Sequence, residues 1–144
     1  MDVNATALKF GYPETLVREY EHWLVLVRPQ QVSLGSLVLV CKEPVTRFSE
    51  VSIEAFTELH DVIAAAEGAL SSLYSYDKIN YLMLMMVDPD VHFHVLPRYA
   101  AARRLGKLEI ADHGWPGPPA LGEYHELDAA ERDRLLGELR GAWG

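Results

Sequence analysis

Hydrophobic positions fall in short continuous runs over the first third of the chain, switch to a helical period in the middle, and then alternate with polar ones at Asp90 to Arg98. Thr15 to Tyr20 reads as a short strand and Trp23 to Val27 as a β-rich apolar run. Pro29 to Gly35 supplies a turn, and Leu37 to Cys41 is a second apolar run, so the two runs form a strand pair around Leu34-Gly35-Ser36. Between Ser52 and Leu73 the residues Ile53, Phe56, Leu59, Ile63, Ala66, Leu70 and Leu73 recur at three- and four-residue spacing, which predicts a helix with one apolar stripe. Ser52 is its N-cap, and Glu54 in the first turn complements the helix dipole. His60 neighbours the stripe and reads as structural. Ile79 to Met86 predicts another strand, and Leu108 to Ile110 a short one. Gly114-Trp115-Pro116-Gly117-Pro118-Pro119 continues neither sheet nor helix, because its prolines remove donors and fix the backbone. Trp115 is then either a lid over a ligand or a packing anchor. Asp128 with Glu131 makes a capping-box-like start for a final helix, whose apolar face is Leu135, Leu139 and Trp143. The pattern predicts an α+β fold, with an antiparallel sheet and the Ser52 helix packed on it.

The stretch from Asp90 to Arg98 carries the chemistry. Strict alternation places Asp90, His92 and His94 on one exposed strand face, while Val91, Phe93 and Val95 point the opposite way into a core. Two imidazoles and a carboxylate sharing one surface bind a metal, bind phosphate or present a nucleophilic nitrogen; the plain alternative is a solvated strand face.

Composition narrows this. A chain of 144 residues with 49% hydrophobic content makes one compact domain over residues 1–144, burying roughly 70% of the surface its unfolded form exposes. Its single cysteine, Cys41, sits in an apolar run and reads as a core thiol. With no disulfide framework, a reducing cytoplasm is the expected location. Arg28 and Asp88 interrupt the best candidates for the roughly 20 apolar residues that a membrane span needs. Met1 to Lys9 has no basic region followed by an apolar run, so it does not read as a signal peptide, and no membrane partner is expected. A net charge of −8 argues against nucleic-acid partners. A small anionic substrate fits only if positive charge is concentrated locally. Arg98, Arg103, Arg104 and Lys107 offer such a cluster, or else a solvated loop.

The pattern His92-x-His94-Val95-Leu96-Pro97-Arg98 resembles the signature of the histidine triad superfamily of nucleotide hydrolases and transferases. In that family three histidines alternate and the middle one attacks the α-phosphorus of a nucleotide. Here His92 is the middle residue, His94 the third, and Asp90 stands where the first would be. The order of elements agrees over residues 8 to 99: a hairpin with a tight glycine turn, a long helix, and a strand leading to the motif. Residues 100–144 add a C-terminal loop and helix, and the Trp115 loop is similar to a tail in one bacterial branch of the family. Two departures stand out. Val87-Asp88-Pro89 replaces the family's Gly-rich, Gln-containing loop, and Arg28 takes the place of an asparagine near the end of the first hairpin strand.

The resemblance implies a sheet of about five antiparallel strands with the long helix on it and a C-terminal helix. It implies hydrolysis at the α-phosphate of a nucleotide conjugate, a dinucleoside polyphosphate or a nucleoside phosphoramidate, through a nucleotidyl-histidine on His92. His94 donates to a phosphate oxygen, Asp90 is the third catalytic position, and Arg28, Gln31, Ser36, Asn80 and Arg98 are the candidate substrate contacts. No cofactor or metal is needed for the covalent step, and the family commonly forms homodimers. Two alternatives stay open: a nucleotide-binding module without catalysis, and a metal site built from Asp90, His92 and His94. A charge at Asp90, about 7 Å from His92 along a strand, interacts with a unit charge there by roughly 2 kcal/mol at an effective dielectric near 20. It either repels the substrate phosphate or serves a changed substrate.

Overall fold

The computed structural model describes residues 3–144. A short helix that the hydrophobic pattern does not announce, α1 (Ala5–Lys9), opens the fold; the Asn4 side chain caps it by accepting from the Ala7 N–H at 2.9 Å. β1 (Leu16–Glu19) and β2 (Trp23–Val27) follow, then the two-residue strand β3 (Gln30–Gln31) within the turn, and β4 (Leu37–Cys41). β2 and β4 pair from Trp23 opposite Cys41 to Val27 opposite Leu37. Gly35 closes the turn at φ 89°, in the left-handed region that glycine enters without a Cβ penalty.

The long helix α2 runs Ile53–Tyr74 with Ser52 as N-cap, as the pattern predicts. Its buried face differs from the predicted stripe: Ala55, Leu59, Val62, Ala66, Ala69 and Leu70 are buried, whereas Ile53 is 80% exposed. Small residues explain the rotation. Alanines let the helix axis approach the sheet, close enough for the Trp23 indole N–H to donate to the Ala55 carbonyl at 2.8 Å. His60 lies on the exposed side against Asp61.

β5 (Lys78–Leu82) ends four residues earlier than the predicted Met86, and Met85 lies at φ 51°, which no extended strand accommodates. β6 (His92–Arg98) carries the motif but begins at His92, leaving Asp90 ahead of the strand. The five antiparallel strands are ordered β1-β2-β4-β6-β5. β7 (Arg103–Leu105) and β8 (Leu108–Ile110) form a separate hairpin, and β9 (His125–Glu126) pairs with β3. Arg103 and Arg104 belong to that hairpin and not to an anion-binding loop: Arg103 donates to the Tyr74 carbonyl and lies over the Tyr99 ring, and Arg104 pairs with Glu109. The final helix α3 (Ala129–Ala142) has a complete capping box from Asp128 and Glu131. It buries Leu135, Leu139 and Trp143 while packing on α2 and β1, so the predicted apolar face docks within the same chain.

The sheet has two dissimilar faces. Trp23, Val25, Val27, Leu37, Leu39, Cys41 and Val95 form the main core together with α2 and α3. Leu24, Leu26, Val38 and Val40 form a smaller cluster on the other face, under Ala7 and Phe10. Cys41 is fully buried, and burial raises its thiol pKa, as befits a core residue. Among the described residues no helix is long and apolar enough to cross a membrane.

Gly35→Ala is expected to destabilise the protein by about 1–3 kcal/mol. The added Cβ would meet Leu70 Cδ2 at 2.7 Å on a backbone already at positive φ. Chemical denaturation of the two proteins measures the loss.

Candidate functional site

Antiparallel register places the two histidines. His92 lies opposite Val40 and His94 opposite Val38, so both stand on the sheet face covered by α1 and not on the α2 side. They are not the exposed strand-face residues expected from alternation: His92 is 2% and His94 8% exposed. Phe10, at the C-terminal cap of α1, packs edge-on to the His94 ring at 5.5 Å and lies 6.2 Å from the His92 ring. The two imidazoles meet edge to face at 5.2 Å.

The hydrogen bonds of the pair define its chemistry. His92 Nδ1 lies 2.7 Å from the Asp90 carbonyl oxygen. A carbonyl only accepts, so Nδ1 carries the proton and donates, which leaves the Nε2 lone pair of the neutral ring free. His94 is held neutral: burial chiefly, then the neighbouring Arg28 cation, push its pKa down to about 4. Its Nδ1 has no hydrogen-bond partner. Only one other buried side-chain nitrogen or oxygen among the described residues is without a partner, Arg28 Nε. Both residues line the same pocket of about 200 Å³, with Lys9, Phe10, Gln30, His92 and the Leu84–Asp88 segment. Buried polar groups in native proteins are nearly always bonded, so two orphans at one place mark a spot where a water or a ligand would complete the bonding. Arg28 donates Nη1 to the Gln30 carbonyl at 2.8 Å but forms no ion pair among the described residues. Burial lowers its pKa, so its charge is held at a cost that an anion would offset. Lys9, the other cation of the pocket, is already paired with Asp88 at 2.9 Å.

A second hollow, formed by Lys9, Phe10, Arg28, Pro29, Gln30 and Glu126, shares four of its lining residues with the first. The two are ends of one cleft. Lys9, Phe10, Glu126 and the Leu84–Val87 segment escape a sequence reading because they reach the histidines only through tertiary packing. The sole local signal is Asn4, a helix cap that would have announced α1 and hence the position of Phe10.

The remaining candidates separate. Asp90 turns away from the pair: its Oδ2 accepts from the Thr6 hydroxyl at 2.9 Å and the Thr6 N–H at 3.3 Å, tying the start of β6 to α1. It contributes its carbonyl to His92, and its carboxylate serves α1. The ligand atoms of Asp90, His92 and His94 do not converge, which removes the three-residue metal site; the one convergent trio of metal-ligating types among the described residues is Glu21, His22 and Glu58. Gln31 and Ser36 are fully buried turn residues and not substrate contacts. Gln31 donates to the Arg28 and Ser36 carbonyls and accepts from Gly35 and Ser36, while Ser36 Oγ donates to the Ser33 carbonyl. Arg98 is 3% exposed and clamped by Asp112, with Nε to Oδ2 at 2.6 Å and Nη2 to Oδ1 at 3.1 Å. Its Nη1 donates to Asn80 Oδ1 at 2.8 Å. Asn80, Arg98 and half-buried Trp115 line a separate hollow with Lys78, so Trp115 is no lid over the histidines.

No family model matches the sequence, and no curated protein matches it. Solved structures do. A histidine triad protein of Bradyrhizobium japonicum superposes with a TM-score of 0.74 at 21% identity, covering 99% of this chain and 98% of its own. A histidine triad protein of Sinorhizobium meliloti gives 0.74 at 16% identity, covering 98% and 96%. A zinc-bound histidine triad family protein of Mycobacterium smegmatis gives 0.60 at 18%, covering 95% and 88%. This chain has the histidine triad fold, and its two motif histidines stand on the fourth strand from one edge of the sheet, next to the other edge strand.

Two consequences are measurable. The unfolded His94 imidazole titrates near 6.5, above its folded value of about 4. Between those values the unfolded chain binds more protons, so stability falls as pH falls through that window. His94→Asn should reduce the difference in unfolding free energy between pH 7 and pH 4.5 by on the order of 2 kcal/mol. Asp112→Asn should cost about 3 kcal/mol or more in denaturant unfolding, because it strands a buried guanidinium; an Arg98 that served chiefly to bind substrate would show little loss.

Proposed function

We propose that this protein transfers a nucleotidyl group from a conjugate to His92 and then to water. The observation that carries the reading is the coincidence, in one cleft, of an imidazole whose Nδ1 is engaged by a backbone carbonyl so that Nε2 stays free, and a guanidinium without an acidic partner among the described residues. The first is a nucleophile, the second a receptor for a phosphate. The histidine triad fold of the chain supports the same assignment.

In the first step the His92 Nε2 lone pair forms a bond to the α-phosphorus, and the bond from phosphorus to the leaving oxygen or nitrogen breaks. The leaving group takes that electron pair and a proton from solvent, which the attacking water returns in the second step. In the second step a water oxygen attacks the same phosphorus and gives up a proton; the P–N bond breaks, Nε2 recovers its lone pair, and a nucleoside monophosphate departs. Splitting one displacement into two lowers each barrier. The Asp90 carbonyl keeps Nδ1 protonated throughout and stabilises positive charge on the ring while Nε2 is bonded to phosphorus. Arg28 and His94 face the phosphate oxygens, where negative charge builds in the transition state. A neutral His94 contributes as a hydrogen-bond donor and not as a cation. The nucleoside occupies the end of the cleft formed by Phe10, Pro29, Gln30 and Glu126, with the Phe10 ring as an apolar wall. Asp90 acts through position: its carboxylate, spent on Thr6, anchors the strand end from which its own carbonyl holds His92.

His92→Asn should abolish hydrolysis of nucleoside 5′-phosphoramidates, with a loss of about a thousandfold or more in kcat, while circular dichroism stays native. Mass spectrometry of the acid-quenched parent should trap a nucleotidyl adduct that the variant lacks. Turnover by His92→Asn at the parental rate would end the covalent mechanism.

A further inference from the structure

The turn between β1 and β2 meets the start of α2 in a cluster that the nucleotidyl chemistry does not use. Glu21 and His22 come from the turn and Glu58 from the helix, and one ligand atom from each of the three lies within 4.8 Å of the other two. Glu21 is exposed; His22 and Glu58 are half-buried. The helix side of the contact is fixed, because Glu58 Oε1 accepts from the His22 N–H at 2.7 Å and is held against the turn. Three residues earlier on α2, Ala55 accepts from the Trp23 indole, which sets how closely the helix approaches.

Charge at this place is unbalanced. Lys42 donates its N–H to the His22 carbonyl at 2.8 Å, but its ammonium goes to Glu19, and among the described residues neither Glu21 nor Glu58 has a lysine or arginine partner. A third carboxylate stands beside the ring. Glu43 Oε2 lies 3.6 Å from His22 Nδ1 and accepts from the Ser52 hydroxyl at 2.6 Å, while its Oε1 accepts from the Ser52 N–H at 2.9 Å. Carboxylates gathered round one imidazole repel one another, and a cation among them relieves that. The donor set narrows which cation. One imidazole nitrogen with two carboxylate oxygens suits a divalent transition metal better than magnesium or calcium, which take oxygen ligands. Ligand atoms round a tetrahedral zinc stand roughly 3.3 to 3.6 Å apart, so a small rotation of the exposed Glu21 side chain closes the set.

We propose that Glu21, His22 and Glu58 bind one divalent transition-metal ion of the zinc type, which clips the β1–β2 turn to α2. Water completes the coordination. Glu43 takes the outer role, since a metal-bound imidazole donates its other ring N–H to a carboxylate or carbonyl, and Ser52 holds that carboxylate in place. The place is separate from the histidine motif: α2 covers one face of the sheet, and His92 and His94 stand on the other. An ion that binds only where the turn and the helix meet favours the folded chain, so its effect is read in stability and not in turnover.

Calorimetric titration of the full chain with zinc chloride at neutral pH should show a saturable site of one ion per chain that survives His92→Asn combined with His94→Asn. Glu43→Gln should weaken it by about ten- to a hundredfold, as loss of an outer partner does, and His22→Gln or Glu58→Gln by more. Glu58→Gln keeps an acceptor for the His22 N–H, so the contact between turn and helix survives the change. Zinc at a hundredfold excess over Kd should raise Tm by about 5 °C or more. Magnesium should not reproduce the rise, and His22→Gln and Glu58→Gln should lose it. Absence of saturable zinc binding, undiminished binding in both of those variants, loss of the site with the motif histidines, or an equal rise with magnesium overturns the proposal.

Discussion

The position of β6 inside the sheet, bonded to β4 on one side and β5 on the other, is the constraint from which the site follows. Because successive side chains of a strand point to opposite faces, fixing the register sends Phe93 and Val95 toward the α2 core and His92 and His94 toward α1. A slip by one residue would bury both imidazoles in the main core and turn its apolar residues outward, so the register is enforced by burial on both faces. Strand rigidity then holds the two rings 5.2 Å apart, and the carbonyl just ahead of the strand sets the tautomer of the first. A loop could bring the same residues together, but not with the same fixed spacing.

The electrostatics of the site are those of a local exception. In a chain of net charge −8, most basic side chains near the sheet are spoken for: Lys9 by Asp88, Lys42 by Glu19, Arg98 by Asp112, Arg104 by Glu109. Arg28 is the exception in the cleft among the described residues, and its charge adds to the burial that chiefly lowers the pKa of His94. Arg28 and Arg98 differ in how their donors are spent. Both are held near the sheet, but the bidentate carboxylate and amide partners of Arg98 spend its donors on holding the Asp112–Gly114 turn against β6. Arg28 keeps a donor unspent.

Local pattern determined much of this protein. The continuous apolar runs at Trp23–Val27 and Leu37–Cys41 and the alternation at His92–Arg98 specified strands, since a short apolar or period-two run rich in β-branched residues has few other ways to bury itself. Ser52 and Asp128 marked the starts of both long helices because a capping side chain satisfies donors only a few residues away. The identity of His92 and His94 as a same-face pair was legible for the same reason. What only the tertiary structure decided were relations between residues distant in sequence. Whether the histidines are exposed depended on α1, more than 80 positions upstream, folding over them. Whether Asp90 faces the two histidines depended on Thr6, and which arginine stays unpaired among the described residues depended on Asp112. Even the face that α2 buries was set by how closely alanines let it approach Trp23. Periodicity and capping are short-range effects written into neighbouring residues, whereas the partner of a polar side chain is chosen by the packing of the whole chain.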